Sequence, residues 1–490
     1  MAFLGADLGS SSCKAAVFNE NGDIIASSSA NYTCIYSGGG IAECDPEIIW
    51  DAFVRSVRGI GEALNEVESM CISTHGETII PVDKSGDYFT NAVMNSDNRG
   101  ANQIKELENI LGKRKIYQIA GLPVSAMFSI GKLMHMKKYS PDIYNKTTVF
   151  HSPHSYLLNK MGIAPVCDYT LASRYMAFDI SSCKWSDEIL YAAGIDKSKL
   201  PDFVESGTVC GKLSREIASI LGLKANIPVV AGGHDQPCAS VGTGITETGK
   251  ATVSAGTYEV LGVTSDNPPD VDIALKAGIH TMRHMIKDCY FTFGFFSGGH
   301  LSSWVYNILG GGDYDKYEKE GTEFNAPTNI LITPHLTGSG TPHFDANATG
   351  SIVGITPSAT QGVIYRAAYE GIACELSNIA DILKNSRISF SEISDVIIFG
   401  GNAKSDLSVQ LRADICGKTF IRAQISDAVS RGAAKMAARA VGSDIKPPLS
   451  DSGTDIFKPS TSQTSAYENQ KKRYKLLYEV LQPVRDMSFE

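Results

Sequence analysis

The chain opens on an alternation of apolar and small residues. Ala2 to Phe18 reads as two β-strands about a polar turn, Leu8-Gly9-Ser10-Ser11-Ser12, with Ala15-Ala16-Val17-Phe18 as the second strand. Asn21-Gly22-Asp23 has hairpin-turn chemistry, and another β-run, Ile24-Ile25-Ala26, follows it. At Asp45 the period changes. Asp45 is placed to cap a helix, Pro46 suits its first turn, and Ile48, Ile49, Ala52 and Phe53 recur at helical spacing. Strands and helices go on alternating, which predicts an α/β fold. A β-branched run at 227–231 leads into Gly232-Gly233-His234-Asp235, then into a small-residue, helix-like stretch from Pro237 to Val241.

The opening pattern returns in the middle of the chain. After a glycine-rich joint at 242–249, Ala251-Thr252-Val253-Ser254 is a β-run, Ala255-Gly256-Thr257 a tight turn, and Tyr258 to Val263 a second run. Two strand–glycine turn–strand units predict a duplicated architecture in two domains, 1–244 and 245–490, with the boundary near Gly244. The likeness is one of pattern, since residue identity between the halves is too low for a sequence repeat. A polar stretch from Ser450 to Ser465 precedes a predicted helix from about Ala466 to Val484, with Tyr474, Leu477, Tyr478 and Leu481 as its apolar stripe.

Length supports the two-domain reading, because 490 residues exceed what one hydrophobic core organises. Charge narrows the partners. A formal net charge of −9 lacks the basic footprint that nucleic acid or an anionic membrane requires. The 11 cysteines are scattered, with no C-x-x-C pair, and read as reduced thiols of a cytoplasmic protein. Met1 to Gly9 has no basic region and reaches Asp7 at once, unlike a signal peptide. No apolar run approaches the roughly 18 residues of a membrane span.

Three constellations carry candidate chemistry. In Asp7-Leu8-Gly9-Ser10-Ser11-Ser12-Cys13-Lys14, Gly and Ser let successive backbone N–H groups converge on an anion, the serine hydroxyls and Lys14 add donors, and Asp7 offers a hard cation an oxygen. An ordinary hairpin with a polar turn satisfies the same residues. In Gly232-Gly233-His234-Asp235, a carboxylate at a strand end behind two glycines could take a hydroxyl proton, or could simply cap a helix. His234 reads as a packed or hydrogen-bonded histidine. In Phe399-Gly400-Gly401-Asn402-Ala403-Lys404-Ser405, after the strand Asp395-Val396-Ile397-Ile398, glycine permits a flat ligand to approach, while Ser405 could cap the next helix.

Two runs are decoys. Gly244 to Ala251 nearly fits the P-loop pattern, but Ala251 lacks the hydroxyl for Mg²⁺ and a β-run follows where a P-loop needs a helix. His151-Ser152-Pro153-His154 lacks the neighbouring ligands of a metal site, and no G-x-S-x-G elbow occurs.

Taken in order, these motifs resemble the FGGY family of carbohydrate kinases over essentially the whole chain. Asp7-Leu8-Gly9-Ser10 is similar to the family's first phosphate loop, and Ala42-Glu43-Cys44-Asp45-Pro46-Glu47 to its A-E-x-D-P-E segment. Lys132-Leu133, Trp185-Ser186-Asp187 and Gly232 to Asp235 resemble a Lys-apolar pair, a W-S-D stretch and the G-G-x-D of the catalytic base. Ser254-Ala255-Gly256-Thr257 looks like the second phosphate loop, and Thr341-Pro342-His343 like a T-P-H turn. Gly350 to Ile355 with Glu370-Gly371 is similar to the second signature, and Gly400 to Ser405 to the adenosine motif.

The resemblance implies two actin-like (RNase H-like) ATPase domains with a nucleotide cleft between them, and ATP-dependent phosphorylation of a hydroxyl of a small carbohydrate, foremost a pentulose such as xylulose. It assigns Asp235 as catalytic base, and Asp7 and Asp235 to Mg²⁺. It gives Gly9, Ser10, Ser11, Ser12, Lys14, Gly256, Thr257, Gly400, Gly401, Asn402 and Lys404 to ATP. It gives His75, Gly76, Glu77, Asp97, Asp235 and Gln236 to the sugar, because His75-Gly76 and Asp97 resemble the M-H-G and W-N-D-x-R segments of xylulokinases. A homodimer is an assembly it admits. The sequence departs from these patterns at Asn95, where xylulokinases have tryptophan, at Thr74, and at Gly338-Ser339-Gly340 before Thr341. Glu77 resembles the R-E-T of glycerol kinases, yet Gly76 stands where their arginine would be. Such residues set specificity and leave the sugar open. Two alternatives stand beside the kinase: an actin-like ATPase of another class, and a catalytically silent sugar-binding regulator.

Overall fold

The computed structural model describes residues 1–324, 327–388, 392–447 and 455–487, and the chain folds into two units. The first comprises Met1–Thr246, Thr281–Phe291 and Asp427–Pro448, and the second Glu247–His280, Thr292–Ser426 and Leu449–Glu490.

The first unit is built on six strands: β1 (Ala2–Leu8), β2 (Ser12–Asn19), β3 (Ile24–Asn31), β4 (Val67–Thr74), β5 (Val209–Lys212) and β6 (Pro228–His234). They lie in the order β5-β6-β4-β1-β2-β3. β1 runs antiparallel to β2 and parallel to β4, and β4 runs parallel to β6. Register matters here, because Leu8 pairs with Thr74 and His234 also pairs with Thr74. Three parallel strands therefore end side by side, and Gly9, His75 and Asp235 leave them at one edge. The carboxyl ends of parallel strands are where open α/β sheets hold ligands.

Local chemistry explains these elements. Gly22 has φ +88°, the left-handed turn that the Asn-Gly pair accepts most readily, and it joins β2 to β3. Asp45 caps the helix Pro46–Arg58 by accepting the Glu47 N–H at 2.9 Å. Ile49, Ala52 and Phe53 are buried from that helix, whereas Ile48 is exposed.

A cut near Gly244 assigns the helix Ala428–Ala440 to the second half, but it packs with the first unit. Its buried face is small (Ser430, Ala433, Ala434, Ala437), which lets it lie against β1. A Cβ on Gly5 would stand 1.8 Å from the Ser430 carbonyl oxygen, and Ser69 Oγ donates to Ala437 O at 2.7 Å.

In the second unit β7 (Lys250–Ala255), β8 (Glu259–Ser265), β9 (Asp395–Phe399), β10 (Thr419–Arg422) and β11 (Ile456–Phe457) follow one another in the order β8-β7-β9-β10-β11. β7 is antiparallel to β8 and parallel to β9, the relation that β1 has to β2 and β4. The duplicated hairpin expected from the sequence is thus present in each unit. The P-loop-like run ends in β7, as its β-pattern required. The C-terminal helix spans Thr461–Arg485, starting earlier than the apolar stripe suggested because its first turns are polar and exposed. It buries Tyr467, Gln470, Tyr474 and Leu477, while Tyr478 and Leu481 are half-buried. Part of the polar stretch before it, 450–454, lies outside the described residues. Among the described residues no helix is long and apolar enough to cross a membrane.

Candidate active site

The turn between β1 and β2 is held by its carbonyl groups. Tyr32 Oη donates to Gly9 O, Cys34 Sγ to Ser10 O at 3.6 Å, and the Tyr32 N–H to Ser11 O at 2.9 Å. The Gly9 N–H closes the turn on Ser12 O, but the N–H groups of Ser10 and Ser11 donate to nothing among the described residues. Carbonyls anchored on one side and amides left over on the other form an anion cradle. Gly9 has ordinary φ, and a Cβ there would meet its nearest neighbour at 3.4 Å, so the fold itself does not demand glycine. A ligand lying against the backbone would.

His75 secures the cradle from below. Leu8 O accepts both its backbone N–H (2.9 Å) and its Nδ1 (3.0 Å), so Nδ1 carries the proton and Nε2 accepts from Thr78 Oγ1 at 2.9 Å. Burial lowers the His75 pKa and keeps the ring neutral. With both nitrogens occupied, His75 holds the loop and has no atom left for a sugar. That corrects its expected role.

Asp235 begins the helix Asp235–Gly242, and His234, not Asp235, is its cap: His234 Nδ1 accepts the Gln236 N–H at 3.3 Å. Asp235 Oδ1 lies 3.0 Å from that same nitrogen, whose lone pair is already engaged, and it has no hydrogen-bond partner among the described residues. Its carboxyl is pushed up to about 6, by burial first and by the charge of Glu77 second, while Arg174 and Gln236 pull it back. Gly232 and Gly233 are glycine for packing. Added Cβ atoms would stand 1.9 Å from Ile72 O and 2.7 Å from Thr170 Oγ1.

Glu77 is the strained residue of the site. It has φ +62° in a γ-turn closed by the Thr78 N–H on Gly76 O at 2.8 Å. Its carbonyl accepts from Ser129 Oγ (3.2 Å) and from Lys132 Nζ (2.9 Å). Lys132 is fully buried, gives its other protons to Met94 O and Asn95 O, and is pushed down to about 7 by burial. The Glu77 carboxylate forms a buried ion pair with Arg174. Arg174, which follows the helix Tyr169–Ser173, was not foreseen from the sequence. Its guanidinium lies 5.0 Å from the centre of the Phe128 ring.

Asp97 is a second correction. It is fully buried and its oxygens are filled: Oδ2 accepts the Ala42 N–H at 2.7 Å and Arg99 Nη2 at 2.8 Å, and Oδ1 accepts the backbone N–H and Nε of Arg99, each at 2.9 Å. It ties chain segments together and offers a sugar no lone pair.

Asp7 ends β1 opposite Lys14, and its pKa is raised by burial, then by Asp427 and Asp235, with Lys14 opposing. Asp427 caps the helix Ala428–Ala440 through Ser430 and was also missed. Among the described residues no group of three or more His, Cys, Asp or Glu could hold a metal alone. The donors present, the carboxylates of Asp7 and Asp235, suit an ion that takes one or two carboxylates and completes its shell with phosphate and water.

In the second unit the turn Gly256-Thr257 is open to solvent at Thr257 and backed by the helix Gly298–Ile308, whose Gly299 N–H donates to Thr257 O at 3.0 Å. Beyond β9, Gly400 has φ +106° and a Cβ would stand 2.8 Å from Ala255 O, whereas Gly401 has nothing within 4 Å. Asn402 accepts from Ser302 Oγ at 3.0 Å and donates to Glu259 Oε1 at 3.3 Å, and Glu259 is itself ion-paired with Arg412 in full burial. Gly401, Asn402 and Lys404 line a cavity of about 520 Å³ with Tyr306, Tyr314, Tyr365 and Tyr369. That volume and its flat aromatic walls suit a nucleoside. The tyrosines come from three segments with no shared motif, so nothing in the sequence gathered them.

The FGGY family of carbohydrate kinases matches the chain twice, its N-terminal domain over residues 2–242 and its C-terminal domain over 251–441. A xylulose kinase of Staphylococcus xylosus is 28% identical over 440 residues, 89% of this chain and 90% of that protein. A glycerol kinase of Borrelia duttonii (strain Ly) is 28% identical over 459 residues, 90% of each. The crystal structure of a ligand-bound xylulose kinase from Lactobacillus acidophilus superposes with a TM-score of 0.88 at 22% identity, covering 98% of both chains.

Proposed function

The chain belongs to the FGGY family of carbohydrate kinases, and from that premise we propose that it moves the γ-phosphoryl group of ATP to a hydroxyl of a small neutral sugar, foremost a pentulose such as xylulose. Asp235 is the base in this reading. The observation that carries it is the half-buried Asp235 carboxylate at the edge where three parallel strands end, raised to about 6. A base poised near neutrality is well matched to accepting a hydroxyl proton, and phosphoryl transfer asks the protein mainly for positioning and charge neutralisation. Gly9, Ser10, Ser11, Ser12 and Lys14 cradle phosphate through the turn amides. In the second unit Gly256 and Thr257 are phosphate contacts, and Gly401, Asn402 and Lys404 line the nucleoside cavity with Gly400 next to them. Glu77, Gly76 and Gln236 border the sugar beside Asp235. Asp7 and Asp235 hold Mg²⁺, which supplies charge neutralisation on the phosphates.

A short polyol such as glycerol is the second reading. Glu77 resembles the R-E-T of glycerol kinases, and Arg174 brings to Glu77 the guanidinium that Gly76 lacks. An ADP-release assay over pentuloses, glycerol, other polyols, aldonates and deoxysugars separates the two. The best pentulose is expected to exceed glycerol and gluconate about tenfold or more in kcat/KM, a gap of the size one misplaced hydroxyl produces. If glycerol outpaces every pentulose, the pentulose reading falls and the kinase stands. Sugar-independent turnover would instead mark an ATPase of another class, and sugar binding without turnover a silent regulator.

A further inference from the structure

We propose that Arg174 is a positioning residue of the acceptor pocket: it holds the Glu77 carboxylate where a sugar hydroxyl donates to it, and the pair, with Asp235, selects a neutral polyhydroxy acceptor over one bearing a carboxylate. This rests on the kinase reading above. Arg174 and Glu77 keep only 3% and 4% of their side-chain surface, so neither ion tolerates the loss of the other. A buried ion pair is weak as a stabiliser, because desolvation offsets most of its attraction. Here it stands beside the residue assigned as base.

Three further observations make the pair a built device. The Glu77 backbone is fixed in its left-handed γ-turn by Ser129 and Lys132, so the carboxylate leaves a rigid support. Gly76 is glycine where the Arg174 stem passes, since a Cβ would stand 2.7 Å from Arg174 Cγ and 2.9 Å from His234 Cδ2. His234, which a Gly76 Cβ would meet beside Arg174, directly precedes Asp235 and its Nδ1 lies 3.0 Å from Asp235 Oδ1, so the pair stands beside the base.

Charge selects the acceptor. Around Asp235 the carboxylates are Asp7, Glu77 and Asp235 itself; Arg174 is engaged with Glu77 and Lys132 with three carbonyls, and Lys14, opposite Asp7, is given to the ATP phosphates in this reading. His75 is neutral with both nitrogens used. An aldonate would bring another negative charge to a place with no cation to meet it. A neutral polyol brings hydroxyls, which donate to Glu77 and Asp235.

The test is a double-mutant cycle on the full chain, with Arg174→Met, Glu77→Gln and the double variant. It reads kcat, the KM of the best neutral acceptor, the KM of ATP and the melting temperature. Each single change is expected to raise acceptor KM about tenfold, the loss of one charge-assisted hydrogen bond, with ATP KM nearly constant. The double variant should be no worse than the poorer single one, because Arg174 acts through Glu77. Glu77→Gln should also shift preference toward gluconate. Additive losses, or unchanged acceptor KM with only a lower melting temperature, would overturn the positioning role. Wild type using gluconate as well as its best neutral acceptor would overturn the selection. If Arg174→Met does not fold, Arg174→Lys replaces it in the cycle. A wild type that consumes ATP with no acceptor overturns the kinase reading together with this one, whereas an additive cycle on an active wild type overturns this one alone.

Discussion

Asp235 shows how a single side chain trades stability for chemistry. Its folded pKa of about 6 lies above the ordinary carboxylate value of about 3.9, so between these values the folded state binds more protons than the unfolded state. Stability therefore falls as pH rises through that window, by an amount on the order of 2 kcal/mol after allowing for partial exposure. Asp235→Asn removes the charge and should melt no lower than wild type, and higher at pH 7. Its kcat should nevertheless fall about 10²–10⁴-fold, since an amide takes no proton. Stopped assays and calorimetry on the same preparation check both, and a folded variant with more than about a tenth of wild-type kcat would remove the base role. Asp97 gives the opposite forecast. Asp97→Ala leaves Arg99 with Glu43 alone and the Ala42 N–H without its acceptor, and should cost about 1–3 kcal/mol in denaturant unfolding, while the molecules still folded keep a near-normal sugar KM. A lost sugar KM at full stability would restore Asp97 as a ligand. Asp7 and Asp235 are singled out by the sequence because carboxylates at strand ends have a recognisable address. The roles of His75 and Asp97 are not, because a sequence does not say where lone pairs are spent. Arg174 lay in no glycine-rich motif and surfaced only once Gly76 had a neighbour.

At the scale of elements, two hairpins and one strand-to-helix turn present glycines of two kinds. Gly9, Gly256 and Gly401 have room for a Cβ, with nearest neighbours at 3.4 Å, 3.5 Å and beyond 4 Å. Gly400 does not, at φ +106° with a Cβ 2.8 Å from Ala255 O. Gly9→Ala and Gly256→Ala should therefore fold with unchanged melting temperature yet raise the KM of ATP, by about tenfold if one phosphate hydrogen bond is displaced. Gly400→Ala should lose about 1–3 kcal/mol from backbone strain alone. Thermal melts and ATP titrations on the three variants separate the cases, and a destabilised Gly9→Ala would make that glycine structural. The strand–turn–strand pattern was readable because period-two alternation and turn residues are local. The edge where Leu8, Thr74 and His234 converge was not, because parallel register joins residues far apart in sequence.

At the scale of the whole molecule, the chain repeats one strand arrangement in two units, and composition with patterning foretold both the duplication and the α/β class. The return of the helix Ala428–Ala440 to the first unit was hidden, since an alanine-rich face is compatible with many partners and declares itself only against Gly5 of β1. The sugar was equally hidden, because specificity lies in a few side chains brought together from distant segments. The central claim is that the molecule transfers phosphate to a sugar and not to water. ³¹P NMR of wild type with ATP, Mg²⁺ and a pentulose tests it most directly. A new phosphate-ester resonance should grow in step with ADP, with almost no inorganic phosphate and no ADP when the sugar is left out. Inorganic phosphate accumulating at the same rate with or without sugar would contradict it.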